Sequence, residues 1–245
     1  MAGERLDKVL AHMGLGTRKE VRALIKSGAV TVDGLPVADP GLHVDSASSR
    51  VECRGRLLEY RRHRYIMLNK PAGVVSATED RRDRTVMDLL PAELRRPGLF
   101  PVGRLDRDTE GLLLLTDNGE LAHRLLAPRK HVDKTYLARV EGALTSSDIK
   151  AFADGVVLHD GYRTLPARLH PLRAGQESEA EVTIREGKFH QVKRMFLALG
   201  KPVIFLKRLR MGPLHLDPSL RPGQARELRP DEVIALLAAT GLAQE

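Results

Sequence analysis

The chain has no tryptophan, one cysteine, four tyrosines and five phenylalanines. A lone cysteine, Cys53, excludes an internal disulfide and a cysteine-based metal cluster, and it fits a reducing compartment, here expected to be the cytoplasm. The shortage of aromatics leaves few flat side chains on which a planar ligand can stack. No stretch reaches the roughly 18 consecutive apolar residues that a membrane span requires, and the charged N-terminus carries no apolar signal core. Acidic residues are also in deficit. With 40 Lys+Arg against 32 Asp+Glu the formal charge is +8, which favours a polyanion such as nucleic acid as partner.

What is present is a chain of 245 residues, 42% hydrophobic, long enough for one large domain or two smaller ones. Leu6, Val9, Leu10 and Met13 form a helical stripe over residues 3–15. Thr17 and Glu20 have the spacing of a capping box and open a second helix, whose buried face is Val21, Leu24 and Ile25. Its other faces carry Arg18, Lys19, Arg22 and Lys26. Residues 28–34 read as a strand running into a tight turn, and residues 50–53 as a further strand. The charged run 59–64 marks a boundary, which divides the chain into domains 1–60 and 61–245. Residues 1–60 hold 9 Lys+Arg against 8 Asp+Glu, so the basic signal there lies in clustering on one helix and not in net charge.

The second part is organised around residues 102–119. Leu112 to Leu115 have the continuous apolar character of a strand buried on both faces. Arg104, Asp106, Arg107, Asp108 and Glu110 crowd its start, and Asp117-Asn118-Gly119 signals a turn after it. Asp106, Asp108, Glu110, Gly111 and Asp117 imitate a calcium loop. However, the ninth position is Leu114 and the preceding segment is not helical, so no metal is expected. Around this stretch, strands are expected at 65–68, 134–140, 166–170, 179–185, 203–210 and 213–216. Helices are expected at 85–90, at 120–126 with Pro128 as its stop, at 146–152, from Gly187 to Leu199, and from an Asp231 cap to Gly241. Strands and helices intermix without βαβ regularity, so the fold class is α+β on a mixed, mainly antiparallel sheet flanked by helices.

Two resemblances attach to these motifs. The segments R-L-D-K-V-L and T-R-K-E-V-R-A-L-I-K-S-G-A-V-T-V-D-G resemble the S-four-type RNA-binding domain, which implies that Arg18, Lys19, Arg22 and Lys26 contact RNA phosphates. G-R-L-D-R-D-T-E-G-L-L-L-L-T-D-N-G is similar to the catalytic motif of the pseudouridine synthases, and M-L-N-K-P-A-G-V, K-T-Y-L and E-G-K-F-H-Q-V-K-R-M-F match in the same order. The whole chain is closest to the RsuA-like branch that acts on ribosomal RNA. That resemblance implies isomerisation of a specific uridine without any cofactor, because a carboxylate suffices as nucleophile or base.

Carried over residue by residue, Asp106 matches the nucleophile, attacking either the ribose or the pyrimidine ring. Tyr136 matches the residue that stacks on the target base, and Arg104 one that holds the nucleotide out of its stack. Thr109 matches a loop-supporting position. For the basic partner of Asp106, Lys193 lies at the border of the face formed by Val192, Met195, Phe196 and Leu199, whereas Arg194 lies nearly opposite and is expected to meet solvent or RNA. Similarity around residues 65–90 and 159–167 favours 16S rRNA. The expected partner is ribosomal RNA or a pre-ribosomal particle, with the chain acting as a monomer. The alternative is a non-catalytic RNA-binding or ribosome-assembly factor on the same fold. Asp108 and Glu110 receive no role.

Overall fold

The computed structural model describes all residues except 1–2, 46–48, 59–62, 128–131 and 243–245. Two expectations fall there, most of the charged link and the stop at Pro128. The chain divides into two compact units: the described residues of Met1–Arg64 with Arg95–Leu99, and those of Tyr65–Leu94 with Phe100–Gln244.

The first unit contains β1 (Glu4–Arg5), α1 (Leu6–His12), α2 (Arg18–Lys26), β2 (Val30–Val32), β3 (Leu35–Pro36), β4 (His43–Val44), β5 (Val51–Cys53) and β6 (Arg56–Leu58). The capping box forms: the Glu20 N–H donates to Thr17 Oγ1, and the Thr17 N–H donates to Glu20 Oε2 at 2.7 Å. Leu6, Val9 and Leu10 from α1 pack with Val21 and Ile25 from α2 and with Val30, Val44, Val51 and Cys53 into a core of their own. The strands β3-β2-β5-β6 pair in that order, and all pairs are antiparallel.

The second unit contains β7 (Tyr65–Lys70), β8 (Phe100–Pro101), β9 (Glu110–Thr116), α3 (Gly119–Leu126), β10 (Lys134–Glu141), α4 (Ser146–Asp154), β11 (Arg168–Arg173), β12 (Glu177–Ile184), α5 (Gln191–Ala198), β13 (Val203–Met211), β14 (Leu214–His215), β15 (Ala225–Glu227) and α6 (Pro230–Thr240). Its sheet runs β11-β12-β10-β13-β9-β7-β15, with β14 added to β13 and β8 to β9. Every pairing is antiparallel except β9 with β13, which is parallel and only two residue pairs long. The architecture is therefore α+β on a mixed, mainly antiparallel sheet. Leu112 to Leu115 are fully buried on both faces of β9, as their uninterrupted apolar run requires.

The short parallel seam depends on two residues. Gly111 has φ +99°, and a Cβ there would collide with the Arg208 backbone. Only glycine permits both the conformation and the close approach. Arg208, 2% exposed, donates from Nε to the Leu112 carbonyl at 2.7 Å and so fastens β13 to β9.

Several expected boundaries move, and three of the shifts have a local cause. The segment at 85–90 is a 3-10 turn, Val86–Leu89, in which Asp88 accepts from the Thr85 N–H. The helix expected from Gly187 starts at Gln191, because His190 adopts a left-handed conformation (φ +50°) that cannot continue a right-handed helix backwards. The final helix is capped at Arg229 with Pro230 in its first turn, which places Asp231 inside the helix.

Candidate active site

Asp106 sits on the loop that leads into β9, and this loop is held from beneath. Lys70, at the end of β7, is fully buried, and its Nζ donates to four backbone carbonyls: Pro71 at 3.0 Å, Asp106 at 3.1 Å, Arg107 at 3.2 Å and Thr109 at 2.9 Å. Ser76 adds a reciprocal pair, its Oγ donating to the Leu105 carbonyl at 2.9 Å and accepting from the Leu105 N–H at 3.1 Å. The Gly73 N–H donates to the Arg107 carbonyl at 2.7 Å. The loop thus presents Asp106 without regular secondary structure of its own. Burial pulls the Lys70 ammonium down to about 8, opposed by the nearby Asp108, Asp106 and Glu110 carboxylates and reinforced by Lys193.

The Asp106 carboxylate is partly exposed and faces two basic groups. Lys193 Nζ lies 3.3 Å from Oδ2, and His190 Nε2 lies 3.5 Å from Oδ1. The shorter bond of Lys193 goes to Asp108 Oδ1, at 2.5 Å. That hydrogen bond holds the exposed Asp108 carboxyl below its ordinary range. Lys193 therefore bridges two carboxylates, which gives Asp108 the partner that its sequence context did not show.

A cleft over this cluster is lined by Arg104, Asp106 and Thr109 on one side and by Tyr136, Ile184, His190 and Val192 on the other. Tyr136 projects from β10 on the buried face shared with Ala138 and Val140 and is 8% exposed. Arg104 is exposed at the rim. The chain therefore brings Arg104, Asp106 and Tyr136 to one cleft, with Lys193 reaching it through its contact with Asp106. Thr109 supports the loop through its carbonyl, while its buried Oγ1 has no hydrogen-bond partner. Glu110 opens β9 opposite Lys207.

Arg194 pairs with Asp160 and is half-buried, where free exposure was expected. The four cations of α2 lie in the other unit. Arg18, Lys19 and Lys26 are exposed, whereas Arg22 donates from Nε to the buried Asp7 at 2.9 Å. Arg5 and Arg22 together hold the Asp7 carboxyl down to about 2.

Residues 106–117 do not form a calcium loop, because their second half is the buried strand β9. Among the described residues no group of three or more His, Cys, Asp or Glu is arranged to hold a metal ion.

Lys70 and His190 lie inside the matched segments M-L-N-K-P-A-G-V and E-G-K-F-H-Q-V-K-R-M-F, but neither receives a role from the sequence. Lys70 lies 36 to 39 positions from three of the carbonyls it binds. His190 owes its place to a left-handed turn that histidine does not announce.

Comparison with known proteins adds an independent line. The family model described as RNA pseudouridylate synthase matches residues 64–198, and the S4 domain model matches residues 4–51. The chain is 49% identical to the RNA pseudouridine synthase YtzG of Bacillus subtilis (strain 168), covering 94% of this chain and 96% of that one. It is 41% identical to ribosomal large subunit pseudouridine synthase B of the same organism, covering 96% of each. Against ribosomal small subunit pseudouridine synthase A of Vibrio cholerae serotype O1 it is 43% identical, covering 95% and 99%.

Proposed function

Because the chain belongs to the RNA pseudouridylate synthase family, we propose that it isomerises one uridine of ribosomal RNA, in 16S rRNA, with Asp106 as nucleophile. The observation that carries this reading is the placement of Asp106: a partly exposed carboxylate on a caged loop, flanked by Lys193 and facing a cleft that Tyr136 closes. Conversion to the carbon-linked isomer breaks the glycosidic bond, turns the base and rejoins it through carbon 5. An ionised carboxylate can lead that sequence without a cofactor.

In this scheme the Lys193 ammonium, 3.3 Å from Asp106 Oδ2, is the basic partner of the nucleophile. Tyr136 stacks on the extruded base, and Arg104 at the rim engages the RNA backbone to hold the nucleotide out of its helix. Residues 1–60 form the RNA-binding domain and 61–245 the catalytic one. Arg18, Lys19 and Lys26 supply phosphate contacts, which position the RNA without reading its sequence. Arg22 and Arg194 reach phosphate only by leaving Asp7 and Asp160 or by sharing them. The enzyme works as a cytoplasmic monomer on ribosomal RNA or a pre-ribosomal particle. The assignment to 16S rRNA rests on the similarity around residues 65–90 and 159–167.

The test is tritium release from uridine carbon 5 in ribosomal RNA transcripts. Asp106→Asn is expected to abolish release while RNA binding persists, and release at the wild-type rate would sink the assignment. Mapping pseudouridines in ribosomal RNA with and without the gene identifies the nucleotide and the subunit.

A further inference from the structure

Phe189 is 76% exposed, the highest value for a large apolar side chain among the described residues. A single exposed apolar residue is ordinary, but this ring is held in place. It stacks on the His190 imidazole with ring centroids 3.8 Å apart and planes 18° from parallel. His190 itself takes a left-handed backbone conformation, at φ +50°.

The turn beneath the pair is fixed by Gln191, itself 3% exposed. Its Oε1 accepts from the Lys188 N–H at 2.9 Å, and its Nε2 donates to Glu186 at 2.7 Å. Glu186 in turn accepts from the Tyr162 hydroxyl at 2.7 Å. The two rings therefore form a prearranged aromatic surface. One end reaches Asp106 through His190, and the other stands in solvent.

Lys188 beside it is also exposed, its Nζ 5.1 Å from the Tyr162 ring centre, and Arg104 is exposed at the rim of the same cleft. A flat apolar face flanked by cations suits a nucleobase on a phosphate backbone. Base–aromatic stacking is tolerant of sequence and strong enough to set the register of a single strand.

We infer that Phe189, backed by His190, is a stacking platform for an unpaired base adjacent to the extruded uridine and so helps select the substrate strand. The inference rests on the functional reading above. The platform acts on binding: it positions the strand so that the uridine, not a neighbour, meets Asp106.

The experiment compares full-length wild type with Phe189→Ala, Phe189→Leu and Phe189→Trp in tritium release from a ribosomal RNA fragment carrying the mapped uridine. The alanine and leucine variants are expected to lose about tenfold in kcat/KM through KM, with kcat and melting temperature unchanged, and tryptophan to restore the wild-type value. A fragment with an abasic nucleotide on the stacking side of the target should cost the wild type the same factor and the alanine variant nothing further. Wild-type kcat/KM in the alanine or leucine variant overturns the inference. So do penalties that multiply with an abasic site at either flanking position. Absence of release by the wild type overturns the functional reading instead.

Discussion

Replacing Lys70 with methionine tests whether Asp106, the proposed nucleophile, depends on a loop held by one buried cation. Methionine keeps much of the side-chain volume and removes the ammonium, leaving four carbonyls without the donor they share. A hydrogen bond to a charged group is worth about 1.5–3 kcal/mol, but the wild type also carries the desolvation cost of the ammonium. Leaving buried neutral acceptors without their donor typically costs about 1–3 kcal/mol net, or roughly 5 °C in melting temperature for a chain of this size. Misplacing a reacting group by an ångström costs about a hundredfold in rate, so kcat should fall by at least that factor in the molecules that remain folded.

The pH dependence gives a second readout. An unfolded lysine holds its proton to about 10.5, while folded Lys70 releases it from about 8. The unfolded chain therefore binds more protons between those values, and this group's contribution to stability rises with pH across that window. Activity should move the opposite way, falling above about 8 as the cage loses its charge. Thermal melts and single-turnover rates between pH 7 and pH 10 measure both. Wild-type rate and melting temperature in Lys70→Met would refute the reasoning.

Three further outcomes are expected. Lys193→Met should lower kcat by more than tenfold and return the Asp108 carboxyl upward to its ordinary range, which carboxyl-detected NMR titration would register, because the hydrogen bond that depresses it is gone. Gly111→Ala should destabilise the chain by more than about 3 kcal/mol in urea denaturation, since the new methyl group meets the Arg208 backbone in a conformation already strained for alanine. Combined alanine substitution of Arg18, Lys19 and Lys26 should leave the melting temperature unchanged. It should weaken RNA binding and flatten the dependence of log K on log salt by about two units, as expected for lost phosphate contacts.

Local chemistry made part of this molecule legible in advance. The Thr17–Glu20 box announces α2 because its hydrogen bonds lie within one turn, and the four leucines announce β9 because no polar residue survives on either face. Motif resemblance points to Asp106, Arg104 and Tyr136, which line one cleft, and helical periodicity adds Lys193, which reaches Asp106. What was not legible depends on distance along the chain. Lys70 looks like the polar end of a strand until loop carbonyls far along the chain close around it, and Asp108 has no partner until Lys193 arrives from 85 positions away. Pro230 is a start signal in its own right and marks the helix start at Arg229 better than Asp231 does. The short strands β1, β4, β6 and β15 carry too few residues for any period to show.

The two-pair parallel seam between β9 and β13 has a consequence for how this enzyme comes into being. The Arg208–Leu112 bond that fastens it closes a loop of 96 residues, longer than any separation in the β10–β12 pairing. Long-range pairing is costly in chain entropy and comes late. Asp106 belongs to one side of that seam and Tyr136 to the other. Until this narrow joint closes, the two sides of the proposed catalytic cleft are not held together.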